Sequence, residues 1–307
     1  MSKIHDALKK AQQERSLGAA ASNQRGPHEL DESAMLHRDL AATVAGGHHS
    51  TADSGRDENW EEFLRFEHLL KHCAKPTWSL DQNEVVFGGP DSGLSGAEQF
   101  RTLRSRLYHI RETLPLKKVL VTSAVVGEGK TFVTTNLAQA FAHQRDRRVL
   151  LIDGDMRSPR LHLPLGAPLS PGLFEYLRGE ANEMAVIQHG EEGNLCFIAG
   201  GNGVTNPSEL LSNKRLEILL DRVAPVFDWI IFDSPPCLPV ADASVLADHC
   251  DGVVLVVRAE STPGEIAQRA RQELKERNIV GVVLNAVSGA DAYGGYYGYG
   301  DSKDARK

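Results

Sequence analysis

From Lys117 onward the chain alternates short β-rich segments with helical stretches, and this alternation restricts its possible folds more than any other feature. The strand segments are almost continuously apolar, as expected for strands buried on both faces of a sheet. In chain order the predicted elements are KVLVTS, a helix over 130–144, RVLLIDGD, 172–179, NLCFIAG, 207–225, DWIIFDSP, 241–249, GVVLVVRA, 263–277 and IVGVVLNAV. The alternation predicts an α/β fold, a parallel sheet flanked by helices, with its ligand site at the carboxyl ends of the strands.

The remainder of the chain divides into segments of different character. Residues 1–17 are expected to form an amphipathic helix, with apolar residues on one face and basic residues around it. We expect a linker over 18–84 that contains a helix at about 57–73, and then the α/β domain over 85–288, which opens with a helix at 95–113. Residues 289–307 lack apolar periodicity, so a tail without a packed core is predicted there.

Composition excludes several classes of protein. The net charge of −7 argues against a nucleic-acid partner. The four cysteines contain no CxxC pair and indicate core thiols in a reducing compartment. No apolar stretch approaches the roughly 18 residues that span a bilayer, and the N-terminus has no signal-peptide pattern. We therefore expect a cytoplasmic protein whose link to the inner membrane, if it has one, is a partner.

A phosphate-binding loop follows the first predicted strand. The general pattern is GxxxxGK[ST], and here Ala124 replaces the first glycine while Lys130 and Thr131 are in place. Glycines let backbone N–H groups converge on phosphate oxygens, and the helix that follows adds a favourable dipole. A strand before the loop and a helix after it make a chance glycine turn a poor alternative. The predicted nucleotide-binding residues of this segment are Gly127, Glu128, Gly129, Lys130, Thr131 and Phe132.

Aspartates end two other predicted strands. Asp153 and Asp155 follow one strand, and Asp233 follows another. One such aspartate would be weak evidence, because aspartate is also common in turns and at helix starts. Three carboxylates beside a phosphate loop indicate a nucleotide site, since phosphoryl transfer needs Mg²⁺ and a group that accepts a proton or orients the attacking group.

The tail holds a cluster of tyrosines within seven residues, Tyr293, Tyr296, Tyr297 and Tyr299. Together with the phosphate loop, this cluster suggests an enzyme that phosphorylates its own tail. The alternative is a low-complexity aromatic tail that only associates with other molecules.

These motifs resemble those of the bacterial tyrosine autokinases, which are P-loop ATPase-like enzymes. The segment Ala124-x4-Gly-Lys-Thr, the LLIDGDMR strand and IIFDSPP resemble the family's Walker A, A′ and B motifs, and the resemblance covers roughly 85–290 and the tail. The stretch Glu98-x-x-Arg101-x-x-Arg104 resembles the family's ExxRxxR helix, which mediates ring-like self-association. Without the resemblance, an ordinary solvated helix face would be the better interpretation of that stretch. The start, MSKIHDALKKAQ, resembles the cytoplasmic kinases that are encoded with exopolysaccharide export systems.

The resemblance implies specific roles. ATP and Mg²⁺ would be the cofactors, with Lys130 on the β- and γ-phosphates and with Thr131, Asp155 and Asp233 around the metal. Asp153 is the candidate acceptor of the tyrosine proton. Two further residues have an assigned role and an alternative: Arg157 would stabilise phosphate charge or form a structural ion pair, and Asn285 would contact adenine or cap a turn.

The resemblance also implies partners. It predicts a ring-like homo-oligomer in which one subunit phosphorylates the tail of its neighbour. It further predicts a membrane-embedded polysaccharide chain-length-determinant or co-polymerase protein, and a tyrosine phosphatase. For the helix at 1–17 we expect either docking to the membrane partner or no particular role.

A nucleotide-switched ATPase of the ParA/MinD type is the second candidate. Those proteins carry an additional lysine in KGGxGK[ST], and the residue five positions before Lys130 is Val125. After the last strand the chain carries a segment rich in glycine and tyrosine, where those proteins would have an amphipathic helix. Both departures favour the kinase.

Overall fold

The computed structural model describes residues 65–87, 96–190, 193–203 and 206–288. The predicted helix at 1–17, most of the predicted linker and the tail with its tyrosines lie outside these described residues. The predictions made for those segments therefore stay predictions.

A seven-stranded sheet forms the centre of the described domain, in the order β3-β4-β2-β5-β1-β6-β7. Six neighbouring strands are parallel, and only β3 at the edge runs antiparallel, to β4. The strands are β1 (Lys118–Ser123), β2 (Val149–Asp153), β3 (Ile187–His189), β4 (Leu195–Ile198), β5 (Trp229–Asp233), β6 (Gly252–Arg258) and β7 (Ile279–Asn285). The predicted α/β fold, a parallel sheet flanked by helices, is confirmed, and the sheet has in addition the three-residue antiparallel edge strand β3.

Helices connect the strands and cover both faces of the sheet. They are α1 (Phe66–His72), α2 (Gly96–Arg111), α3 (Lys130–Ala142), α4 (His162–Leu165), α5 (Leu173–Arg178), α6 (Glu183–Val186), α7 (Pro207–Leu211), α8 (Lys214–Val223), α9 (Asp242–Asp248) and α10 (Gly264–Glu273). The helix predicted over 207–225 is two helices, because Asn213 begins α8 by accepting the Arg215 N–H with its side chain at 3.2 Å. None of the helices in the described ranges is long and apolar enough to cross a membrane.

The central strands of the sheet have both faces covered, whereas β7 at the edge has no fully buried residue. All five residues of β2 and of β5 are buried. On one side of the sheet, Trp229 stacks on Phe141 of α3 with ring centroids 4.2 Å apart, and Tyr108 of α2 meets Trp229 edge-on at 5.4 Å. This aromatic packing fixes α2 and α3 against the sheet and thereby sets the position of the loop that precedes α3.

The packed domain begins earlier than the sequence suggests. Phe66 and Leu69 of α1 are buried in the core, and the Phe66 ring meets Phe227 edge-on at 5.8 Å. Further along, the buried Asn136 side chain of α3 accepts the Val86 N–H at 2.8 Å and donates to the Glu84 carbonyl oxygen at 2.8 Å. Residues 65–84 are therefore part of the domain, whereas the sequence predicted a linker there.

Glu175 joins the start of α5 to two loops. Its carboxylate accepts hydrogen bonds from the N–H groups of Gly172 and Asn202, at 2.8 and 2.9 Å, and from the Ser170 hydroxyl at 2.9 Å. Partial burial raises the pKa of Glu175, but these donors outweigh burial and the pKa lies below its usual value.

We expect Glu175→Gln to lower the free energy of unfolding by about 1–3 kcal/mol at pH 7, because the amide nitrogen cannot accept these hydrogen bonds. Since the folded-state pKa is lowered, the contribution of the carboxylate is present above the unfolded pKa and is lost as pH falls through the folded pKa. The difference from wild type should therefore shrink as the pH falls below about 4, in urea unfolding curves. The exposed Glu217 provides the control substitution, Glu217→Gln, and an equal effect of both variants would contradict the assignment.

Candidate nucleotide site

The predicted phosphate loop connects β1 to α3 at the carboxyl edge of the sheet. Gly127 and Gly129 both have φ of +88°, a left-handed conformation that glycine adopts without strain. Gly129 is the residue before the first turn of α3, so the free N–H groups of that turn face the loop. A helix start of this kind attracts anions through its dipole and its unpaired donors.

Lys130 lies between two of the predicted carboxylates. Its Nζ atom is 3.0 Å from Oδ2 of Asp155 and 3.8 Å from Oδ2 of Asp233, and only 14% of its side chain is exposed. Burial lowers the pKa of Lys130, but the charges of Asp233 and Asp155 raise it by more than burial lowers it. The pKa therefore lies above its usual value, and the ammonium keeps its proton. The structure thus brings together Lys130, Asp155 and Asp233 as the sequence predicted.

Asp233 is fully buried at the end of β5. The Thr131 hydroxyl donates to its Oδ2 at 2.7 Å, and the Thr134 hydroxyl lies 3.1 Å from its Oδ1. Burial raises the pKa of Asp233 despite the nearby Lys130 charge. Sequence reasoning missed Thr134, although its spacing of three residues from Thr131 places both hydroxyls on one face of α3.

Asp153 ends the neighbouring strand β2 and is also fully buried. Its carboxylate accepts three backbone N–H groups, from Asp155 at 3.1 Å and from Arg160 and Leu161 at 3.0 Å each. Burial and the charge of Asp233 raise its pKa well above the usual value. Asp153 therefore holds the loop after β2 in shape.

Gly154 separates the two aspartates because the chain passes very close to β5 there. Its N–H donates to the Asp233 carbonyl oxygen at 2.9 Å, and a Cβ atom at this position would lie 2.8 Å from the same oxygen. The contact leaves no room for a side chain. The glycine thus allows the β2 and β5 loops to approach, which brings Asp155 to Lys130.

Arg157 forms a structural ion pair, which was the second of the two roles predicted for it. Its guanidinium donates to both carboxylate oxygens of Asp242 in α9, at 2.7 and 3.0 Å, and the Ser208 hydroxyl also donates to Asp242. Asp242 is fully buried, and its carboxylate raises the pKa of Arg157. Asp242 could not be predicted as this partner from the sequence, since it lies 85 residues from Arg157.

Glu128 and Asn285 contact the loop in ways that the sequence did not show. The Glu128 carboxylate is buried, accepts the Val125 N–H at 2.8 Å and accepts the Thr262 hydroxyl at 2.5 Å. The Asn285 side chain donates to the Glu128 carbonyl oxygen at 2.9 Å. The Glu128 carboxylate thus accepts hydrogen bonds from groups of the protein itself.

A cleft of about 600 Å³ lies between α2, the start of α3 and the end of β7. Its walls include Phe100, Leu103, Phe132 and Leu284, with Asn285 at the end that adjoins the loop. The Phe132 ring meets Phe100 edge-on at 5.9 Å. The volume lies within the usual range for small-molecule sites, and the lining combines these apolar side chains with the polar side chains of Gln99, Arg106 and Asn285.

The three residues of the predicted oligomerisation motif lie on α2, and their side chains have different environments. Glu98 and Arg101 pair with each other at 3.0 Å, and 64% and 41% of their side chains, respectively, are exposed. Arg104 instead donates to the Ala140 carbonyl oxygen near the end of α3, at 2.5 Å.

The donors around Lys130 suit Mg²⁺. Thr131, Asp155 and Asp233 supply only oxygen atoms, which are the ligands that Mg²⁺ prefers. Within the described residues no group of three or more His, Cys, Asp or Glu side chains could hold a metal alone. This arrangement fits an ion that binds one or two carboxylates and takes its other ligands from phosphates and water.

Fold and loop together define a P-loop nucleotide-binding domain, and residues 119–296 match the family described as the CobQ/CobB/MinD/ParA nucleotide binding domain. Within that class the chain belongs to the bacterial tyrosine-protein kinase family, as its motifs predicted. It is 34% identical over 227 residues to tyrosine-protein kinase YwqD of Bacillus subtilis, which covers 73% of this chain and 94% of that protein.

Two further relatives support this assignment. The putative tyrosine-protein kinase EpsB of Ralstonia solanacearum is 40% identical over 206 residues, which cover 66% of this chain and only 27% of that longer protein. The solved kinase domain of the Escherichia coli tyrosine kinase ETK is 32% identical, covers 68% of this chain and 84% of that domain, and has a TM-score of 0.61.

We expect Arg157→Ala to lower the free energy of unfolding by about 3 kcal/mol, because it leaves the buried Asp242 carboxylate without its partner. A second substitution, Asp242→Asn, should recover most of that loss in urea unfolding of the double variant. Arg178→Ala is the control, since its ion pair with Glu180 is half exposed and should contribute at most about 1 kcal/mol. Equal stability of both single variants would show that the pair with Asp242 does not hold the fold.

Proposed function

We propose that this protein transfers the γ-phosphoryl group of ATP to tyrosine side chains, including those of its own tail. The arrangement of Lys130 between Asp155 and Asp233, at the end of a phosphate loop, carries the proposal. A cation and two carboxylates at that position match the needs of phosphoryl transfer, in which positioning and charge stabilisation do most of the work. The relatives described above are also named as tyrosine kinases.

The residues of the loop would bind the polyphosphate. The N–H groups of the loop and of the first α3 turn would donate to its oxygens, and Lys130 would hold the β- and γ-phosphates. Thr131, Asp155 and Asp233 would then hold Mg²⁺, which neutralises the charge that develops on the phosphate oxygens. The cleft beside Asn285 and Phe132 is the proposed adenine site.

The transfer itself needs a proton acceptor near the γ-phosphate. The tyrosine oxygen attacks phosphorus, the bond from phosphorus to the β–γ bridging oxygen breaks, and the phenol proton leaves to a carboxylate. We assign that acceptor role to Asp153, because it ends the strand that resembles the family's Walker A′ motif. Arg157, fixed by Asp242, would add a positive charge to the same side of the site.

The tail would supply the acceptor tyrosines. It follows Ser288, three residues after the end of β7. Tyr297 lies nine positions after Ser288, which corresponds to at most about 30 Å of extended chain. This reach allows transfer to the tail of a neighbouring subunit in a ring-like oligomer.

We further propose a role in exopolysaccharide polymerisation and export, together with a membrane-embedded chain-length-determinant protein. The membrane partner would place the kinase at the inner membrane, and a tyrosine phosphatase would reverse the modification. A nucleotide-switched ATPase without kinase activity is the second candidate, because the matched nucleotide-binding family also includes MinD and ParA.

Incubation of the purified protein with MgATP should add phosphate to the peptide that contains Tyr293, Tyr296, Tyr297 and Tyr299. Intact and peptide mass spectrometry would detect it. Lys130→Met is the matched control and should remove the modification, because no other side chain in the loop can pair with the β- and γ-phosphates.

Two results of this experiment would count against the kinase. ATP hydrolysis without phosphotyrosine, even after addition of the partner's cytoplasmic segment, would favour the switching ATPase. Phosphate on the tail of both wild type and the Lys130→Met variant would show that the loop is not the site of transfer.

Replacing Glu98 and Arg101 with alanine should lower the oligomer mass measured by light scattering, because both side chains are exposed and available to a neighbouring subunit. Glu112→Ala serves as the control, since its exposed pair with His109 adjoins the other end of α2. Unchanged oligomer mass in the double variant would remove this part of the proposal.

A further inference from the structure

Two turns at the carboxyl edge of the sheet contain non-glycine residues in a left-handed conformation. Glu260, which follows β6, has φ of +58°, and Ala286, which follows β7, has φ of +55°. Residues other than glycine rarely adopt this left-handed backbone conformation, and they keep it only where the surrounding contacts hold them. We call residues 258–262 the β6 turn and residues 285–288 the tail root, since the tyrosine tail begins directly after them.

Hydrogen bonds join the β6 turn to the tail root. The Ala259 N–H donates to the Asn285 carbonyl oxygen at 2.8 Å. The Ser288 hydroxyl lies 2.9 and 3.1 Å from the two carboxylate oxygens of Glu260. Both left-handed residues therefore lie between hydrogen-bonded positions, and neither turn can change its conformation without disturbing the other.

Both turns also bind the phosphate loop, and Glu128 is the residue that they share. From the β6 turn, the Thr262 hydroxyl donates to the Glu128 carboxylate at 2.5 Å. From the tail root, the Asn285 amide donates to the Glu128 carbonyl oxygen at 2.9 Å. Arg258 adds a hydrogen bond to the Gly127 carbonyl oxygen at 3.1 Å.

The other carboxylate oxygen of Glu128 sets the shape of the loop itself. It accepts the Val125 N–H at 2.8 Å, so the loop closes on its own side chain between the strand and the helix. Only 2% of Glu128 is exposed. A buried carboxylate beside a polyphosphate site repels the negative charge of the ligand. Glu128 is therefore explained better by the hydrogen bonds with which it positions the loop than by direct contact with the ligand.

We propose that Glu128 is a positioning residue that couples the phosphate loop to the tail root, so that nucleotide at the loop orders the segment from which the tyrosine tail emerges. The inference rests on the proposed function, because it requires nucleotide at the loop. Since coupling is reciprocal, the conformation of the tail root also changes the affinity of the loop for nucleotide.

Hydrogen–deuterium exchange with and without MgADP, at a concentration that saturates each protein, tests the coupling. In wild type we expect MgADP to slow amide exchange in both the β6 turn and the tail root. Thr262→Val removes the hydroxyl that binds Glu128 and keeps the shape of the side chain. It should weaken MgADP binding roughly tenfold, as for one lost hydrogen bond to a charged group, and should abolish the protection of residues 286–288.

Three further variants separate positioning from a general loss of structure. Glu128→Gln keeps a side-chain oxygen that can accept the Val125 N–H. Its amide N–H can donate to the Thr262 hydroxyl oxygen, so this variant should retain the protection of the tail root. Glu128→Ala should lose it. Thr113→Val, which removes a hydroxyl at the far end of α2, should behave as wild type.

The outcomes distinguish this inference from the proposed function. If wild type binds MgADP and residues 286–288 are protected equally in wild type and in Thr262→Val, the coupling through Glu128 is wrong and the nucleotide site stands. If wild type does not bind MgADP, the nucleotide site and the coupling both fail.

Discussion

The burial of charge at two neighbouring strand ends is the constraint on which this structure depends. Asp153 and Asp233 lie side by side in the β2–β5 register, and both are fully buried. Carboxylates in such a place need compensating groups, which here are backbone N–H groups for Asp153, and threonine hydroxyls and Lys130 for Asp233. Compensation therefore draws the loop after β2 and the start of α3 to the same point, and the site results from satisfying these charges.

Elements with strong local patterns could be predicted from the sequence. The apolar runs gave six of the seven strands in the described domain, and the glycine, lysine and threonine pattern located the phosphate loop. The edge strand β3 was not predicted because three residues are too few to show a periodic pattern. Asp153 and Asp233 were found because each ends an apolar strand, and Asp155 because it lies two residues after one.

Side-chain partners that are distant in sequence could not be predicted in this way. The Glu128 carboxylate bonds Thr262 across 134 residues, and Arg157 bonds Asp242 across 85. Nothing local distinguishes these residues from exposed charged residues, and only the assembled sheet brings them together. The inclusion of residues 65–84 in the domain depends in the same way on Asn136. Nothing in the sequence of α3 shows that this amide bonds a segment about 50 residues earlier.

The packing of α1 has a practical consequence for anyone who shortens this protein. A fragment that starts at residue 85, the domain boundary expected from the sequence, lacks Phe66 and Leu69. The apolar surface of Phe227 would then face water, and the amide of Asn136 would lose its acceptor on Glu84. Exposed apolar patches favour aggregation, so low solubility of such a fragment would reflect a missing piece of its core and would say nothing about its activity.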